Sequence, residues 1–108
     1  MPKAIMLVQS KPSHPDREDE YNDWYSNTHI PEVCEVDGIV AARRYKAHSA
    51  TPIGPDVNPY VAVYELEADD LGGVITDLAS RAMDGRMKMS SAMEMDPPPS
   101  MVIYELID

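Results

Sequence analysis

The chain has 108 residues, 44% hydrophobic and 26% charged, with a formal net charge of −10. That composition fits one globular domain over residues 1–108 and excludes a disordered chain. The acidic balance repels phosphate backbones and anionic headgroups, and no apolar run approaches the ~20 residues of a membrane span, so neither nucleic acid nor membrane is expected as a partner.

Residues 3–9 (KAIMLVQ) are expected to form a strand, with Ile5 and Leu7 on one face and Ala4, Met6 and Val8 on the other. Both faces are apolar, which suits a strand covered on both sides. A loop over 11–15 carries two prolines. The charged block at Asp16–Glu20 then suits a first helical turn through the macrodipole. Tyr21, Trp24, Tyr25 and Thr28 fall at i, i+3, i+4 and i+7, on one helical face that His29 shares. Pro31 lacks a backbone donor and biases Ile30 away from helical angles, so the helix is expected to stop or kink at His29. Glu32–Val36 adds a turn or two before Asp37-Gly38, a turn signal.

Residues 39–48 (IVAARRYKAH) read as a second strand. Alternation places Ile39, Ala41, Arg43 and Tyr45 on one face and Val40, Ala42, Arg44, Lys46 and His48 on the other. A proline-rich loop over 49–59 follows, then a third strand over 60–67 (YVAVYELE). A second helix starts at Ala68–Asp70 with Leu71, Val74, Ile75, Leu78 and Ala82 as its buried stripe. Gly72 and Gly73 make its first turn weak or closely packed. Five of the eight methionines lie between Met83 and Met95, and Pro97–Pro99 lead into a fourth strand over 101–107 (MVIYELI). The order is α+β, a ferredoxin-like βαββαβ with a four-stranded antiparallel sheet and two helices on one face. Strands apolar on both faces call for cover on the second face. A second copy is the simplest cover, so a homodimer is expected.

Three stretches resemble the dimeric α+β barrel superfamily, and within it the EthD-like small proteins. They are EYNDWYSNTHIPEV (Glu20–Val33), DGIVAARRY (Asp37–Tyr45) and the strand after DPPP (Asp96–Pro99). The signature is WYxxxHxP at Trp24–Pro31. The resemblance implies two sheets packed back to back across a dimer, with each pocket between a monomer's own sheet and helices. Members include polyketide cyclases, decarboxylases, lactone isomerases, cofactor-free monooxygenases and haem-degrading enzymes. The resemblance also implies a pocket histidine as an acid/base group, and His29 alone matches that position.

The residues define the candidate site. His29 has an ordinary pKa near ~6.5, suited to taking and returning a proton at neutral pH; otherwise it caps a helix end. Tyr25, one turn away, offers a hydroxyl to a developing oxyanion, and Arg43 reaches the same pocket if the face with Ile39 and Tyr45 points at the helices. Tyr21, Trp24 and Tyr45 would line the pocket or pack in the core. Met83 and Met87 belong to a segment that serves as an adaptable apolar lid or as core filler. His29 and Glu32 stand at metal-ligand spacing, but Pro31 interrupts it and no metal is expected. Cys34 is a lone cysteine without a nucleophile motif, and its solitude precludes an intrachain disulfide and suits a reduced, cytoplasmic setting.

These features favour a cofactor-independent enzyme of lyase, cyclase or isomerase type. It would act on a small hydrophobic, aromatic or polyketide-like molecule by histidine proton transfer. The alternatives are a non-catalytic ligand-binding dimer, or an oxygen-using monooxygenase of the same fold, haem-dependent or cofactor-free.

Overall fold

A computed structural model describes residues 2–54 and 57–108. Four strands, β1 (Lys3–Ser10), β2 (Ile39–Lys46), β3 (Tyr60–Glu67) and β4 (Ser100–Glu105), make one antiparallel sheet in the order β2-β3-β1-β4. The helical elements are a 3-10 turn at Pro15–Arg17, α1 (Glu18–Trp24), a π-helical turn (Tyr25–His29), α2 (Ile30–Val33) and α3 (Leu71–Met83). This is the ferredoxin-like arrangement expected from the order of the elements. Among the described residues no helix is long and apolar enough to cross a membrane. The expected loop is observed at 49–54 and 57–59; Pro55 and Asp56 between them lie outside the described residues.

Alternation along β3 sets the two faces. Tyr60, Ala62, Tyr64 and Leu66 are buried beneath the helices, together with Ala4 and Met6 of β1 and Tyr21, Tyr25 and Val33 above them. The outward positions form cross-strand pairs of their own, Ile5 with Tyr104 and Leu7 with Val102. Ile5, Tyr45, Val102 and Tyr104 are exposed in the single chain. The cover expected over both faces of β1 is therefore present on one face only.

The helix does not stop at His29. Pro31 stands in the first turn of α2, where its missing N–H is not needed. The turn before it is widened, so that Ile30 N–H donates to the Tyr25 carbonyl five residues back. In a regular helix the proline ring would clash with the carbonyl four residues earlier. The π-helical turn accommodates that ring, and Ile30 keeps helical angles. The chain then continues through Val33 without a break.

The second departure lies in β2. Ile39 pairs with Leu66 and Ala41 with Glu65, so Val40 is an extra residue, a β-bulge. Beyond it the strand's phase is inverted relative to simple alternation. Ala42, Arg44 and Lys46 pair with the helix-facing Tyr64, Ala62 and Tyr60, whereas Arg43 and Tyr45 pair with Val63 and Val61 on the outward face. The strands also end early. His48 has left β2 to accept a bond from Ala50 N–H at 3.0 Å. Beyond the Leu106 N–H bond to the Lys3 carbonyl, β1 supplies no partner for Ile107.

Two glycines are fixed by close approach. Gly38 has φ +98°, and a Cβ there would lie 2.7 Å from Val74 Cγ2, because α3 sits directly on this turn. At Gly73 a Cβ would meet Asp70 Oδ2 at 2.7 Å. The Asp70 carboxylate caps α3 by accepting from Gly73 N–H at 3.0 Å. The first turn is closely packed, one of the two options its glycines allowed.

Candidate functional site

The candidate site is a cavity of about 190 Å³ between the helix-facing side of the sheet, α2, α3 and the methionine segment. Its wall is almost wholly apolar. Met6 and Val8 rise from β1, Val33 from α2, Ile75 and Leu78 from α3, and Met87 from the segment beyond. The polar exceptions are His29 and Tyr64. The half-exposed Met89 and Met101 mark its mouth.

His29 is held by two aromatic neighbours from its own helix. Trp24 stacks on it with ring centroids 4.7 Å apart, and Tyr25 meets it edge-on at 5.0 Å. The i+5 and i+4 spacings reach it through the π-helical turn. The Trp24 indole N–H donates to the Lys88 carbonyl at 2.7 Å, and the Glu32 carboxylate accepts from Lys88 N–H at 2.9 Å. These bonds tie the methionine segment to the helix that carries His29. Within that segment Met87, Ala92 and Met93 are core, and an antiparallel bridge joins Met93 to Pro12. Met83 is 87% exposed and stands away from the cavity.

Burial pushes the His29 pKa down to about 4, with Arg44 adding to the shift and Glu32 opposing it. The imidazole is therefore neutral at physiological pH. Its Nδ1 is enclosed and has no protein partner, and the hydroxyls of Tyr25 and Tyr64 share that condition. Burial also drives both phenols upward, and the two lie close enough for each to bear on the other's ionisation. Neither hydroxyl has a partner in good hydrogen-bond geometry, but the two face one another across a longer gap.

The helix-facing cation is Arg44, not Arg43. Its guanidinium lies 4.4 Å from the Tyr25 ring centroid and 5.3 and 5.4 Å from those of Tyr21 and Tyr60. It donates to Asn22 Oδ1 and Ser26 Oγ, both at 2.9 Å. Arg43, expected in the pocket, pairs instead with Glu65 at 3.1 Å on the outward face, and Tyr45 shares that face. The bulge at Val40 is the reason. Tyr21 is fully buried, and its hydroxyl is tied to Ser10. Of the residues proposed from sequence, the fold brings His29, Tyr25, Trp24 and Met87 together, and leaves Arg43, Tyr45 and Met83 elsewhere.

Tyr64 and Arg44 were not singled out for the site in the sequence. The signal for Tyr64 was a hydroxyl on the Ala62–Leu66 phase of β3, which is otherwise apolar. Arg44 had no usable signal, since the bulge decides its face. His14 accepts from Asp16 N–H at 3.1 Å and so caps a turn, as His48 does. Among the described residues no three metal-ligating side chains gather. The cavity is smaller than the ~300–1,000 Å³ of drug-sized pockets, so a haem does not fit it as it stands. A larger groove of about 630 Å³ lies on the outer sheet face beside Ile5, Tyr104 and Leu106, without a histidine.

Two solved structures share this fold. One is an ethyl tert-butyl ether D (EthD) family protein from Bacillus halodurans, at 12% identity and TM-score 0.54, matched over 99% of this chain and 100% of that one. The other is HapK from Hahella chejuensis, at 14% identity and TM-score 0.57, over 96% of this chain and 92% of that one. No family model and no curated protein matches the sequence. The likeness runs the length of the chain, so the EthD-like fold suggested by the WYxxxHxP signature is the fold observed.

Proposed function

We propose that the cavity is a small-molecule site in which His29 moves a proton without a cofactor. The observation that carries this reading is a buried imidazole, lacking a partner at Nδ1, on the wall of an otherwise apolar cavity. A neutral imidazole is the form that accepts a proton from a carbon next to a carbonyl. The enolate so formed would stabilise the imidazolium beside it, and the low resting pKa favours prompt return of the proton. The Tyr25 ring, edge-on to the imidazole at 5.0 Å with the Arg44 charge behind it, orients His29 for that transfer. The volume exceeds the ~150 Å³ that holds a benzene, which indicates a substrate of about one ring.

His29→Gln should keep the fold and reduce turnover at least tenfold, toward the ~10²–10⁴-fold typical of a lost acid/base group. The assay is conversion of small aryl and alkyl ketones followed by mass spectrometry. Full activity in that variant would remove His29 from the chemistry. One observation favours a binding protein instead: no second group on the cavity wall titrates near neutrality, since Tyr64 is held protonated. Ligands that bind and are never converted would select that reading.

The apolar outward sheet face fits a second copy of the chain. Light scattering on the whole protein should give twice the 12.0 kDa of one chain. A monomer at micromolar concentration would leave that face without the expected partner.

A further inference from the structure

Tyr64 lies at the centre of the sheet, 1% exposed, on the wall of the cavity that His29 also lines. Its ring belongs to the core, but its hydroxyl bonds to nothing in the protein. Leaving a buried hydroxyl unpaired is unfavourable, and a phenylalanine would keep the packing without that penalty. His29, the other polar residue on the wall, has an unpartnered Nδ1, and the unpartnered Tyr25 hydroxyl lies behind the wall near that of Tyr64.

The rest of the wall limits what can satisfy them. Among the described residues no charged side chain lines the cavity. Arg44, the cation near Tyr25, is occupied by Asn22 and Ser26 and is not part of the wall. A carboxylate buried there would lack a counter-charge and lose its hydration. An uncharged ligand bearing one strong acceptor has no such penalty.

We infer that Tyr64 is the specificity residue of this cavity: its hydroxyl donates to the carbonyl oxygen of an uncharged ligand of about one ring, and the site excludes carboxylates. This rests on the reading of the cavity as the functional site and names the substrate class for it. Burial keeps the Tyr64 phenol protonated, as a donor must be.

The chain has one tryptophan, and it stacks on His29, so its fluorescence reports occupancy. Acetophenone, ethylbenzene and benzoate serve as probes of nearly one shape. Acetophenone should bind about 5–10-fold tighter than ethylbenzene, the share of one hydrogen bond, and benzoate should bind more weakly than either. Tyr64→Phe should erase the preference for the ketone and leave ethylbenzene unchanged. That variant should unfold at the same or a higher urea concentration, since it removes an unpaired hydroxyl.

Equal weakening of both neutral probes, survival of the ketone preference in Tyr64→Phe, benzoate binding as well as acetophenone, or no binding by any probe would overturn the inference. Tyr64-dependent ketone binding without turnover would sink the proton-transfer reading and leave this one standing. His29-dependent turnover of ketones with a preference indifferent to Tyr64 would do the reverse.

Discussion

His29→Gln is expected to lose less stability in acid than the wild type. The unfolded chain titrates His29 at the ordinary value of 6.5, whereas the folded protein holds it at about 4. The folded value is the depressed one, so the neutral ring's contribution is fully present above pH 6.5. As pH falls through 6.5 the unfolded state takes up a proton that the folded state refuses, and stability drops until about pH 4, below which the curve is flat for this group. At ~1.4 kcal/mol per pH unit, the wild type should lose about 3 kcal/mol more than the variant across that window. Glu18, held below its usual range by Tyr60 and Lys46, and Glu20, held low by Arg17, also lose stabilisation in acid. Both carboxylates are common to the two proteins and cancel in the difference. Urea unfolding at a series of pH values reads it directly, and parallel stability curves would show that the ring is not buried as described.

Arg44→Met is expected to destabilise the fold by about 2–3 kcal/mol. The methionine replaces the aliphatic stem but not the planar cation among three tyrosine rings, nor its bonds to Asn22 and Ser26. Cation–π contact contributes about 0.5–2 kcal/mol, and a charged donor on neutral acceptors about 1.5–3 before partners relax. Arg44→Lys keeps the charge without the two-pronged geometry and should recover only part of the loss. The measurement is the urea midpoint with the slope unchanged. A wild-type midpoint for Arg44→Met would mean that the guanidinium only rests on the surface. Because Arg44 also lowers the His29 pKa, the same variant should raise it, visible in the histidine ring's proton resonances.

The elements were legible because their signals are local. The aromatic stripe of α1, the glycine and aspartate turn at Asp37-Gly38 and the alternation of YVAVYELE each require only their own neighbours. Two features were not legible. In IVAARRYK the adjacent Ala41 and Ala42 fit either face, so nothing in the pattern locates an extra residue at Val40. That one residue moved Arg43 and Tyr45 out and Arg44 in. Pro31 read as a helix end because the usual rule assumes regular α geometry. The widened turn at Tyr25–His29 removes the clash instead, a compensation that composition does not reveal. Of the site, His29 and its aromatic neighbours could be read from spacing. Tyr64 could not, because its significance comes from a missing partner, and partners are set by the tertiary fold.

The bulge at Val40 also bears on how copies of this chain can associate. β2 is an edge strand, and an edge of regular pleat invites another strand to extend the ladder without limit. The extra residue interrupts the run of free backbone groups near the start of β2 and increases the local twist. Lys46 places a cation at the strand's other end, bound to Glu18. Open-ended growth through this edge is discouraged, while the apolar outward face stays available for a closed pairing. A single inserted residue thus turns one arginine inward and breaks the edge along which an endless sheet would grow.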